Sequence, residues 1–208
     1  MAPGLARELS RRCHHRCVDW RGSTARTRRR IDSRPLVNRG FSVMAWETPT
    51  DTDHVELERQ LGRPMRGLHA IAARCACARP AVVVTRPRVD DGTPFPTLYY
   101  LSIPSGTKEA SRLEAGGLMA QYEQRLADDE EAAERYQRAH ESYLHTREQM
   151  GVVPEIEGIS AGGMPERVKC LHALIAHSLA EGPGVNPVGD WALEDANWSL
   201  EVCQCSHD

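Results

Sequence analysis

Apolar and polar positions alternate with a readable period from about residue 53 to about residue 198, and little before that. Asp53-His54-Val55-Glu56-Leu57-Glu58-Arg59-Gln60-Leu61 offers Val55, Leu57 and Leu61 for packing and meets Gly62 as a stop, which predicts a short helix. Three runs rich in Val, Ile, Ala and Tyr follow at 67–74, 81–85 and 96–103. Turn-like Cys75-Ala76-Cys77-Ala78-Arg79-Pro80 and Arg88-Val89-Asp90-Asp91-Gly92-Thr93 separate them, so the natural reading is an antiparallel meander. Pro94, Pro96 and Pro104 flank the third run; because proline donates nothing to a ladder, that strand belongs at an edge.

Beyond Ser105 the period changes to helical and the composition becomes acidic. Thr107 is placed to cap a first helix reaching Gly116-Gly117, and 118–127 forms a second. Asp128 with Glu131 has the spacing of a capping box for a third, running to about Gln149 and carrying Tyr136, His140, Tyr143, Leu144 and Arg147 on one face. A Gly-containing loop spans 152–163, and 164–180 reads as the most apolar helix, ended by Gly182-Pro183-Gly184. Strands followed by helices imply an α+β fold, a small antiparallel β-meander packed with a helical layer in a single domain.

Composition is globular, with 40% apolar and 26% charged residues, but charge divides the chain. Residues 1–43 hold eleven Arg and no Lys against three acids, a balance of +8, whereas 44–208 carry −11. The first stretch has neither periodicity nor caps and reads as a basic leader, disordered or spuriously translated; 44–198 is the domain and 199–208 a C-terminal tail. Cys13, His14, His15 and Cys17 fall in that leader and are discounted as ligands. A domain at −11 is unsuited to nucleic acid. There is no run of about 18 apolar residues for a membrane span and no signal-peptide core, so a cytoplasmic protein is expected. Seven cysteines, two pairs of them spaced Cys-x-Cys, suit reduced or metal-bound thiols better than a disulfide framework.

Two groups of residues carry candidate chemistry. In Gly158-Ile159-Ser160-Ala161-Gly162-Gly163, glycines precede a helix expected to begin at Met164-Pro165, with Arg167 and Lys169 in its first turns. Ser160, Gly162, Gly163, Arg167 and Lys169 would then form an anion cradle of converging N–H groups and two cations. The second group is metal-ligating. Cys75 and Cys77 on the first β turn form a knuckle that would hold zinc with Cys170 and one histidine such as His140. On a continuous helix Cys170 and His172 point about 200° apart, and Cys170 and His177 are separated by about 10.5 Å of rise, so at most one of the three should join a given site. Cys203-Gln204-Cys205 with His207 repeats the pattern where fraying is the default expectation. His140 and His172 are the candidates for acid–base work, but no Ser-His-Asp order, metalloprotease helix or dinucleotide glycine pattern accompanies them.

Three successive motifs bear a resemblance. Pro94-Phe95-Pro96-Thr97-Leu98-Tyr99-Tyr100-Leu101, then Lys169-Cys170-Leu171-His172-Ala173 with Ala176-His177, then Gly184-Val185-Asn186-Pro187, resemble in order the motifs of the bacterial, actinobacterial-type domain of unknown function 501 family, over roughly Val55 to Trp191. The resemblance implies no activity. It does imply a first turn of the form Cys-x-x-Gly-x-Pro, from which this chain departs: Ala78 stands at the glycine and Cys77 is added. Ile103 replaces a Cys or His often found before Pro104. Two function classes result. One is a binder of a phosphorylated or other anionic small molecule at the Gly-rich loop, and the other is a noncatalytic, zinc-stabilised adaptor meeting a partner protein through its acidic helical surface.

Overall fold

The computed structural model describes residues 46–206. The leader and His207 lie outside them. Thr50 opens the first helix, α1 (Asp51–Leu61), by a reciprocal cap: Asp53 N–H bonds the Thr50 hydroxyl while the Asp53 carboxylate accepts from Thr50 N–H. Arg74 then holds the same carboxylate with two nitrogens at 2.6 and 3.0 Å, which ties the helix start to the end of the first strand. That guanidinium keeps the Asp53 carboxyl well below the usual carboxylate range.

The meander forms in the expected order. Strands β1 (Leu68–Arg74), β2 (Pro80–Thr85) and β3 (Tyr99–Leu101) pair antiparallel as β1-β2-β3. All six residues of β2 are buried, because the sheet is covered on both faces. Val83 packs with Leu57 of α1 and Ile71 on one face, while Val82 and Val84 join the main core on the other. The third strand is shorter than its apolar run. Leu98 N–H is taken by the Tyr143 hydroxyl rather than by a strand, and a helix opens at Pro104.

The helical layer comprises α2 (Pro104–Ala115), α3 (Leu118–Asp128), α4 (Glu130–Glu148), α5 (Leu171–Glu181) and α6 (Pro187–Ala196). Three starts differ from the sequence reading. Pro104 at the first helical position begins α2, and Thr107 bonds back to its carbonyl from inside the helix. Asp129, not Asp128, caps α4 by accepting from Ala132 N–H. The largest difference is α5, which begins at Leu171 instead of Met164. The Gly162 carbonyl accepts from Lys169 N–H and Cys170 N–H, and Arg167 N–H bonds the Gly163 carbonyl, so 161–166 forms a bend and turns and 167–170 is irregular rather than helical. Carboxylates from neighbouring helices take the next donors: Glu123 accepts from Val168 N–H at 2.9 Å and Glu114 from Leu171 N–H at 2.7 Å.

Buried polar groups lock these layers together. Arg147, 2% exposed, donates to the carbonyls of Pro96, Ile156 and Ile159 and so fixes the loop after α4. Tyr136 donates to the Arg167 carbonyl at 2.9 Å, and the Tyr99 hydroxyl to Glu181. Among the described residues no helix is long and apolar enough to cross a membrane.

Candidate metal centre

The site begins where β1 ends. Cys75 N–H bonds the Arg79 carbonyl at 3.0 Å and Ala78 N–H the Cys75 carbonyl at 2.8 Å, closing a tight turn that carries Cys75 and Cys77 into β2. Ala78 has φ of 67°, in the left-handed region that glycine adopts most readily.

The C-terminal segment reaches this turn because α6 ends in a reversal. Asn197 takes φ of 48°, and Trp198 is buried with its indole N–H on the Ser105 hydroxyl at 3.3 Å. The chain then runs without regular secondary structure along the first β turn. Ala76 N–H bonds the Leu200 carbonyl at 2.8 Å, and the Arg79 guanidinium reaches the Ser206 carbonyl. Between those anchors lie Cys203 and Cys205.

Four thiols therefore converge from two ends of the chain. Cys75, Cys77, Cys203 and Cys205 have their sulfurs all within 4.8 Å of one another, with Cys77 to Cys205 at 3.7 Å and Cys205 to Cys75 at 3.9 Å. Tetrahedral zinc with Zn–S bonds of about 2.3 Å sets its sulfurs about 3.8 Å apart, which matches the Cys77–Cys205 and Cys205–Cys75 separations. Burial pushes the Cys75 thiol up and takes Cys205 to about 12. Burial also opposes ionisation of Cys77, but the Arg79 N–H and the neighbouring thiols outweigh it and bring Cys77 down to about 7. A divalent cation bound by the sulfurs would favour their thiolate form.

Cys170 and His140 lie apart from this cluster. His140 bonds the Ser160 hydroxyl through Nδ1 at 2.9 Å, and Ser160 in turn donates to the Met164 carbonyl at 3.2 Å. Burial lowers the His140 pKa and favours the neutral ring. In the Gly-rich loop, the N–H groups of Met164, Arg167, Val168, Lys169 and Cys170 already have partners within the protein. Gly162, at φ of 71°, is also explained without a ligand, since a Cβ there would stand 2.5 Å from Leu174 Cδ2. Arg167 and Lys169 are exposed.

Cys170 and His172, expected to diverge, meet. Cys170 is the extended cap before α5 (φ −152°), so it leaves the helical path and brings its sulfur 4.0 Å from His172 Nδ1. Glu114 Oε1 is 3.1 Å from the same nitrogen. The Cys170 thiol, together with Glu114, raises the His172 pKa to about 9 against its partial burial.

The family model described as "Protein of unknown function (DUF501)" matches residues 71–194. The chain belongs to the DUF501 family. Cys75, Cys77, Glu114, Cys170 and His172 lie within the matched DUF501 region, and Cys203 and Cys205 follow it. No curated protein and no solved structure matches the chain. Sequence reasoning found Cys75 and Cys77 but discounted Cys203 and Cys205, although the repeated Cys-x-Cys spacing was a usable signal. Nothing local in the sequence marks Glu114.

Proposed function

We propose that this chain is a zinc-stabilised adaptor domain. Cys75, Cys77, Cys203 and Cys205 would hold the ion as a closed four-thiolate site, the form that zinc takes when its role is structural. The observation that carries this reading is the convergence of four thiols at zinc-compatible spacing from segments more than 120 residues apart, with |i−j| of 128 for Cys77 and Cys205. Zinc there would supply folding energy and no open position for chemistry. The anion-cradle reading of Ser160, Gly162, Gly163, Arg167 and Lys169 has less support, since the N–H groups of Met164, Arg167, Val168, Lys169 and Cys170 already have protein partners.

The partner would be a protein with a basic face. Asp128, Asp129, Glu130, Glu131, Glu134 and Glu141 are all exposed along the α3–α4 junction and the outer side of α4. Metal analysis of the full chain, purified without added metal, tests the zinc; it should be retained by wild type and lost from Cys75→Ser and Cys203→Ser. The adaptor role is tested by crosslinking in cells. A specific crosslinked partner should disappear with Glu134→Lys combined with Glu141→Lys while zinc content and the thermal melt stay unchanged. A wild-type chain that purifies folded but free of metal overturns the reading.

A further inference from the structure

The second convergence of ligand atoms is separate from the four thiols and differs from them in kind. Glu114 Oε1, Cys170 Sγ and one ring nitrogen of His172 all lie within 4.8 Å of one another. A tetrahedral zinc with its usual bond lengths would set nitrogen and oxygen about 3.4 Å apart and nitrogen and sulfur about 3.6 Å apart. The observed separations are 3.1 and 4.0 Å, within a few tenths of an ångström of both.

The surroundings of the three groups are those of ordered ligands. His172 turns Nδ1 toward Glu114 and Cys170 and Nε2 toward the Ser111 hydroxyl at 3.2 Å. With Nε2–H donating to the Ser111 hydroxyl, a metal that displaces the Nδ1 proton would meet an imidazole already oriented through its other nitrogen, as ligating histidines commonly are. The Glu114 carboxylate is held by Leu171 N–H at 2.7 Å. Ser111 and Glu114 are three apart and so share a face of α2; one short stretch supplies a ligand and the group that orients another. The extended backbone at Cys170, which stops α5 from starting earlier, is what lets Cys170 and His172 point to one place.

We propose that Glu114, Cys170 and His172 form a second metal centre. It takes a divalent cation of the zinc class, since one thiolate, one imidazole and one carboxylate make a borderline donor set. Only three protein ligands are present, and the His172 and Glu114 side chains remain 30% and 25% exposed. The fourth position is therefore open to water or to a small anion, as in sites where zinc binds exogenous ligands, and unlike the closed four-thiolate cluster.

Cobalt titration of the full-length, metal-depleted chain tests this, because Co2+ reports its ligands through visible and thiolate charge-transfer absorption. Wild type should bind about two equivalents, with one four-thiolate component and a weaker single-thiolate one. His172→Ala, Cys170→Ser and Glu114→Gln should each remove the weaker component and leave the stronger. Glu114→Gln keeps an acceptor for Leu171 N–H and so guards against a folding artefact, with the thermal melt as a check. Ser111→Ala should weaken cobalt binding at this component about tenfold or more. Azide should shift the weaker component alone.

A single component that survives His172→Ala and Cys170→Ser would overturn the proposal and reduce the cluster to a hydrogen-bonded group. A weaker component insensitive to azide would overturn its open character. The four-thiolate reading fails separately, by loss of the stronger component from wild type, so the two outcomes are distinguishable.

Discussion

Ala78 shows how one methyl group can sit at odds with a required backbone. At φ of 67° a non-glycine residue costs about 1–2 kcal/mol, and only glycine adopts that region freely. Ala78→Gly should therefore stabilise the domain by about 1 kcal/mol and raise Tm by about 2–4 °C, as thermal denaturation would show. His177 is a second residue-scale tension. It is fully buried between Tyr99 and Tyr143, with Nδ1 facing the Asn186 amide at 3.2 Å and Nε2 without a partner among the described residues. Burial holds its pKa down at about 3. In the unfolded chain the ring takes its proton near pH 6.5, whereas the native ring stays neutral until about pH 3, so the unfolded state binds more protons across that window. Stability should fall by about 1.4 kcal/mol per pH unit as pH drops below about 6. Urea midpoints at pH 7 and pH 5 should show a smaller acid loss in His177→Phe than in wild type.

At the scale of elements, the deciding contacts are where helices start and how closely they approach. The α5–α6 pair is set by Gly189, where a Cβ would stand 2.2 Å from the Leu174 carbonyl oxygen and 2.3 Å from Ser178 Oγ. Backbone cannot yield cheaply there, so Gly189→Ala should cost about 3 kcal/mol, read from the denaturant midpoint. A tolerated alanine would mean that α6 sits further from α5. The α6 helix was not marked by apolar periodicity, although Asn186 accepting from Val188 and Gly189 N–H, followed by Pro187 at the first helical position, is an ordinary start signal. The α5 boundary had no such local sign. Met164-Pro165 is an acceptable helix start, but the Gly162 and Gly163 carbonyls take the N–H groups of Arg167, Lys169 and Cys170, and the carboxylates of Glu123 and Glu114, arriving from α3 and α2, take those of Val168 and Leu171.

For the whole molecule, the largest consequence of the four-thiol cluster is topological. A metal held by Cys77 and Cys205, 128 positions apart, would tie the last described residues to the first β turn. Because the four thiols meet only in the folded chain, the free energy of binding the ion would add to the folding free energy. Removing the metal with a strong chelator should therefore lower Tm by well over 5 °C. Deleting residues from 199 onward should lower it comparably and leave only the smaller chelator response of the weaker second site. A melt indifferent to both would show that the C-terminal segment contributes little to the fold.

What the sequence determined by itself was whatever depends on neighbours in the chain. The short apolar runs of β1 and β2, the turns between them, the stop at Gly62 and the helical period of α3 and α4 follow from local sterics and burial, so the α+β order was legible. The Cys75-x-Cys77 knuckle was legible for the same reason. Only the tertiary structure decided which groups meet across long separations. It brought Cys203 and Cys205 to the first turn, and it set Glu114 beside His172 from 58 positions away. It also ended the turns before α5 at Cys170, against the helical propensity of the stretch. Periodicity records which face of an element is buried; it carries no record of which distant side chain a buried or half-buried polar group will find there.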